Sequence, residues 1–82
     1  MTADEIRTAV LRALSEVAPE ADAATLRPDR DLREQLDIDS MDFLNFLIGI
    51  HEQTGIDIPE TDYGRLQTLD DFVDYLGARV SA

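Results

Sequence analysis

The chain has no cysteine and no lysine. The first absence excludes a disulfide framework, a thiolate zinc site and a cysteine nucleophile together. Stability must therefore come from packed apolar faces, for which a hydrophobic content of 44% suffices. The second absence leaves seven basic residues, all arginine, against 18 acids, for a formal charge of −11. Such a field repels nucleic acid and anionic membrane and favours basic protein partners. The plainer account of the same charge is solubility. No apolar run approaches the roughly 20 residues needed to span a bilayer, so no membrane insertion is expected. Met1-Thr2-Ala3-Asp4-Glu5 lacks a signal-peptide pattern, and the expected setting is cytoplasmic, as a monomer. A length of 82 residues leaves room for one small domain over 1–82 and argues against a deep catalytic cleft.

What is present reads as helices. Thr2-Ala3-Asp4-Glu5 matches a capping box, in which a hydroxyl and a carboxylate satisfy orphan N–H groups at a helix start. Ile6, Val10, Ala13, Leu14 and Val17 then recur at spacings of three and four, and Pro19 ends the helix. From Ala18 to Asp39 no stripe is sustained. Leu26, Leu32, Leu36 and Ile38 are spaced to pin this loop to a core, and Asp31 to Gln35 can form one helical turn. A second helix is expected from Ser40 to Thr54, with Asp39 as N-cap, Ile38 and Phe43 as a staple, and Gly55 as the left-handed residue that ends it. Pro59 suits the start of a short third helix, Glu60 to Leu66, weakened by Gly64. Thr68-Leu69-Asp70-Asp71 caps a last helix striped by Leu69, Phe72, Val73, Leu76 and Val80. No segment has strand periodicity. The expected fold is all-α: a small four-helix bundle, three main helices plus the short third, with a long first loop.

The second helix carries two apolar arcs. At about 100° per residue, Phe43, Phe46, Leu47 and Ile50 share one face and make the core stripe. Met41, Leu44 and Ile48 fall elsewhere, bordered by Asn45 and Glu52, with Asp42 beyond. One stripe is enough to fold a surface helix. The second is expected to be a partner-docking face, apolar in the middle and acidic at the rim, unless the first loop covers it, Leu44 being the residue most open to such cover.

Ser40 opens this helix among aspartates. The glycines of a nucleophile elbow are missing, as is a preceding strand. His51 is the only possible imidazole base, and on one helix the two are eleven residues apart, or roughly 16 Å. That is outside hydrogen-bond reach, which excludes a serine–histidine dyad; His51 is expected to flank the core stripe. Asp37, Asp39 and Asp42 fail the EF-hand pattern at positions 5, 6 and 12, so no dedicated metal site follows. A serine at a helix start needs no function. Here, however, Asp39 already serves as the cap, and a helix N-terminus favours an attached phosphate.

These residues resemble the acyl carrier protein family and, more broadly, the phosphopantetheine-bearing carrier domains. The carrying motif is Asp39-Ser40-Met41 within Leu36-Asp37-Ile38-Asp39-Ser40-Met41-Asp42, with Gly55-Ile56-Asp57-Ile58-Pro59 downstream. The resemblance implies that a separate phosphopantetheinyl transferase attaches 4′-phosphopantetheine from coenzyme A to Ser40, flanked by Asp39 and Met41. It implies a non-catalytic carrier whose acyl cargo rides as a thioester on the arm's thiol, which fits a chain without cysteine. It also implies that Met41, Asp42, Leu44, Asn45, Ile48, Glu52, Glu60 and Asp62 meet basic patches on acyl-loading, condensing and acyl-transfer enzymes. The pathway would be fatty-acid, polyketide or other specialised lipid synthesis. An aminoacyl or aryl carrier is the nearest alternative, and a cofactor-free acidic helical interaction module is a different one. Asp37 stands where many family members have glycine, so the turn before Ser40 is expected to differ.

Overall fold

The computed structural model describes residues 1–22 and 24–80, so Ala23, Ser81 and Ala82 of the expected 1–82 span lie outside the described residues. Helix α1 runs Ala3–Val17, α2 Leu32–Leu36, α3 Ser40–Thr54 and α4 Leu69–Val80, with a 3-10 helix over Glu60–Arg65 between the last two. Among the described residues the only extended pairing is an isolated bridge between Asp31 and Thr68.

Each main helix starts where its cap residue dictates. The Thr2 N–H donates to Glu5 Oε1 at 2.9 Å and the Glu5 N–H to Thr2 Oγ1 at 3.2 Å, completing the expected capping box of α1. Thr68 and Asp71 form the same reciprocal pair at α4: the Asp71 N–H reaches Thr68 Oγ1 at 3.0 Å, and Asp71 Oδ2 accepts the Thr68 N–H at 3.1 Å. α1 ends at Val17, two residues before Pro19. The turn expected over Asp31–Gln35 forms as α2, with Asp31 as its N-cap.

The short third helix is narrower than expected. It is 3-10 rather than α and stops at Arg65, one residue before the expected Leu66. Pro59 caps it without a side-chain hydrogen bond, so a nucleus of barely two turns has little to extend it.

The stripes meet in one cluster. Ile6, Val10, Ala13 and Leu14 of α1 close on Phe46, Leu47 and Ile50 of α3 and on Leu69, Phe72 and Leu76 of α4. The loop residues Leu26, Leu32 and Ile38 are buried, while Leu36 is only partly so. Phe46 and Phe72 sit edge to face at 5.0 Å, with Phe43 6.1 Å from Phe46 and 6.3 Å from Phe72. α1 packs chiefly on α3, where a Cβ built on Gly49 would come within 3.2 Å of Ala13 Cβ. A bare backbone at Gly49 is what lets the two helices approach this closely.

The long first loop is fastened to the start of α4. The Leu32 N–H donates to the Gln67 carbonyl at 2.8 Å, and the Asp70 N–H to the Pro28 carbonyl at 3.0 Å. Within the loop the Gln35 side-chain amide accepts from the Arg27 N–H and donates to the Arg27 and Arg30 carbonyls. These bonds hold α2 in place, and α2 leads directly into the first turn of α3.

Candidate functional site: the first turn of α3

The turn before Ser40 is set by Asp37, which takes φ 53° and ψ 41°, the left-handed conformation. Glycine occupies this region without penalty, and aspartate is among the few other residues that visit it routinely. The conformation here is thus one that glycine would also adopt. Ile38 is buried behind the turn and fixes the entry of the chain into α3.

Asp39 is the N-cap, in extended conformation, and its Oδ1 accepts the Asp42 N–H at 2.8 Å. Ser40 is the first helical residue and is exposed. Of the first-turn amides, those of Ser40 and Met41 have no acceptor within the helix, as geometry requires of any helix start. The Ser40 Oγ lies 3.5 Å from Arg33 Nη2 of α2. The Arg33 guanidinium lies over the Phe43 ring, 5.5 Å from its centroid. Among the described residues Arg33 has no carboxylate within ion-pair distance, despite the acidity of the chain. Arg33, Phe43, Asp31, Tyr63, Gly64 and Leu66 border an open cleft between α2, α3 and the 3-10 helix.

The second apolar arc is solvent-facing. Met41 is 70% exposed, Leu44 46% and Ile48 56%; the first loop covers none of them fully, and Leu44 is the most shielded of the three. Asn45, Glu52 and Glu60 are exposed and Asp42 is partly buried. Asp62 is placed differently. Its Oδ2 accepts from Tyr75 Oη at 2.5 Å and from Arg79 Nη2 at 3.1 Å, and its side chain is 18% exposed. That carboxylate fastens the 3-10 helix to α4 rather than pointing to solvent.

His51 is exposed and lies off the core, with Nδ1 3.2 Å from the Ile56 carbonyl and 3.1 Å from Asp57 Oδ1. It therefore braces the chain beyond Gly55, which takes φ 74° and ends α3 with its N–H on the His51 carbonyl. Among the described residues the side-chain hydrogen-bond partner of the Ser40 hydroxyl is Arg33, a cation. Arg33 was not among the residues singled out from sequence. No local pattern marks it, because its place beside Ser40 depends on how the loop folds back.

The chain as a whole is similar to known proteins. Residues 5–76 match the family model described as the phosphopantetheine attachment site. The chain is 32% identical to the acyl carrier protein of Acidothermus cellulolyticus, covering all of this chain and 98% of that one. It is 30% identical to the acyl carrier protein of Rickettsia typhi, covering 98% and 92% respectively. Its fold matches the solution structure of a protein from Anaplasma phagocytophilum, with a TM-score of 0.82 over 96% of this chain and 92% of that one, at 22% identity. The chain belongs to the phosphopantetheine-attachment family, the family of the acyl carrier proteins to which it is similar.

Proposed function

We propose that this chain is a single carrier domain that bears 4′-phosphopantetheine on Ser40. It presents acyl thioesters to partner enzymes in the cytoplasm without catalysing a reaction itself. The observation that carries the reading is the exposed Ser40 at the first turn of α3, with the exposed Met41-Leu44-Ile48 stripe starting at the next residue. A separate transferase would form the bond from Oγ to the β-phosphorus of coenzyme A. The phosphoanhydride bond breaks, 3′,5′-ADP departs and the hydroxyl proton goes to the transferase or solvent.

The residues of the first turn fit this group. Ser40 supplies an accessible oxygen, its own N–H and that of Met41 point outward from the helix start, and the helix dipole favours the added negative charge. When bound, the arm supplies the thiol that the chain lacks. Asp39 keeps the turn wound through its bond to the Asp42 amide.

The docking face would be Met41, Leu44 and Ile48, with Asp42, Asn45, Glu52 and Glu60 around them. Apolar residues exclude water from the contact, while the acids steer basic patches toward it and fix orientation. The partners are the transferase and enzymes that load, condense or transfer acyl groups.

The test is to supply acetyl-coenzyme A in place of coenzyme A together with a broad-specificity transferase. The chain should gain the acetylated arm, and hydroxylamine should then remove the acetyl group and leave the arm. A mass that hydroxylamine does not change, or no gain in mass, would refute carriage of a thioester.

A further inference from the structure

Arg33 is the one side chain at the first turn of α3 that neither the core nor the docking stripe accounts for. It projects from α2 to within 3.5 Å of Ser40 Oγ. Its guanidinium carbon lies over Phe43, 5.5 Å from the ring centroid, and that ring is in turn packed on Phe46 and Phe72. A cation resting on a ring that is itself part of the core has lost much of its freedom before any ligand arrives, which lowers the cost of pairing. The base of α2 is fixed as well, by the Asp31 cap and by the Leu32 bond to the Gln67 carbonyl. Among the described residues Arg65 and Arg79 are the arginines paired with a carboxylate, both with Asp62; Arg33 shares the lack of such a pair with the other four and differs from them in its contact with Ser40. In a chain of charge −11, Arg33 has no carboxylate at ion-pair distance among the described residues and faces a hydroxyl instead. A guanidinium facing an esterifiable hydroxyl is arranged for the product of esterification. The phosphorus binds to Oγ, and its two non-bridging oxygens lie one bond further out, on the side where a planar N–H fork can take them.

We infer that Arg33 is the resident counter-ion of the phosphodiester at Ser40, pairing with it and orienting the arm toward the cleft bordered by Phe43 and Tyr63. This rests on Ser40 as the attachment point. Like the first-turn amides, Arg33 meets the phosphate; unlike them, it can be removed without altering the backbone. Beyond the Arg33–Phe43 contact, the pairing gives the loaded protein a charged tie between α2 and α3 where the unloaded protein has a 3.5 Å contact with a neutral oxygen.

The experiment compares unloaded and coenzyme-A-loaded protein, wild type and Arg33→Gln, by chemical unfolding at low and high salt. A merely structural Arg33 shifts both forms equally. A counter-ion shifts the loaded form more, by roughly two- to fivefold in the unfolding equilibrium constant at low salt, with the excess shrinking as salt screens the pair. A second measurement needs no loaded variant: the Arg33 Nε–H resonance, identified by its loss from unloaded Arg33→Gln, should shift when the wild type is loaded. An equal shift in both forms, or an Nε–H signal that loading leaves in place, would overturn the pairing. A wild type that takes no arm overturns both readings, whereas an arm on Ser40 with Arg33 unmoved overturns this one alone.

Discussion

Replacing Asp39 separates two roles for the residue before the attachment serine. As N-cap it has an extended backbone and accepts the Asp42 N–H at 2.8 Å, the one side-chain bond that closes the first turn of α3. Removing the acceptor in Asp39→Ala should cost about 1 kcal/mol, the middle of the range for such caps. The site is exposed, so water replaces part of the lost bond and the upper end of that range is not expected. In a domain of this size, 1 kcal/mol corresponds to about 4–8 °C in Tm. Asp39→Asn keeps an oxygen acceptor of equal capping rank but removes the charge. Its loss of favourable interaction with the helix dipole, about 0.3–1 kcal/mol, is opposed by relief of repulsion from Asp37 and Asp42. The asparagine variant should therefore lose less than half of what alanine loses. Thermal and urea unfolding followed by far-ultraviolet circular dichroism read both. Equal losses in the two variants would refute the cap argument in favour of charge, and no loss in Asp39→Ala would refute any role for the bond in holding the helix start.

Four further outcomes are expected. Phe46→Ala removes a ring that is fully buried against Phe72 and should cost about 3–5 kcal/mol, read as a fall in the urea midpoint. Asp37→Ala should cost about 1 kcal/mol because alanine pays the left-handed penalty that aspartate largely escapes, while Asp37→Gly should not pay it; the same unfolding assay compares them. The Tyr75 hydroxyl is held above its ordinary 10.0 by burial first and by its hydrogen bond to Asp62 next. Since the folded form keeps the proton longer than the unfolded chain, this contribution is full below pH 10.0 and is lost as pH rises through the higher folded value. Tyr75→Phe should flatten that alkaline decline, and phenolate absorbance should show one tyrosine ionising late. Leu44→Asp places a charge on an exposed helix face, so stability should stay within about 0.5 kcal/mol while transferase-catalysed loading slows, in a paired unfolding and kinetic assay.

Local chemistry made much of the fold readable. Asp39 and Gly55 bracket α3 at the bounds expected, because a cap and a left-handed stop are properties of single residues. The separation of Phe46, Leu47 and Ile50 from Met41, Leu44 and Ile48 followed from helical period alone, and burial divides them the same way. What depended on chain closure was not readable. Asp62 looked like a surface acid, and it is drawn to α4 by Tyr75 and Arg79, thirteen and seventeen residues away. His51 was expected beside the core, yet its ring turns to the chain beyond Gly55. Arg33 reaches Ser40 only because Gln35, Leu32 and Asp70 fasten the loop in one conformation. The 3-10 form of the short helix likewise reflects a weak start at Pro59 that tertiary packing alone completes.

The central claim is that Ser40 is the point of covalent attachment. It is tested most directly by incubating the chain with coenzyme A and a broad-specificity phosphopantetheinyl transferase, digesting it, and locating the added phosphopantetheine by fragmentation of the peptides. The account predicts one adduct, on the peptide containing Asp39-Ser40-Met41, and none on Ser40→Ala. An unmodified wild type, or an adduct that persists on Ser40→Ala, would contradict it.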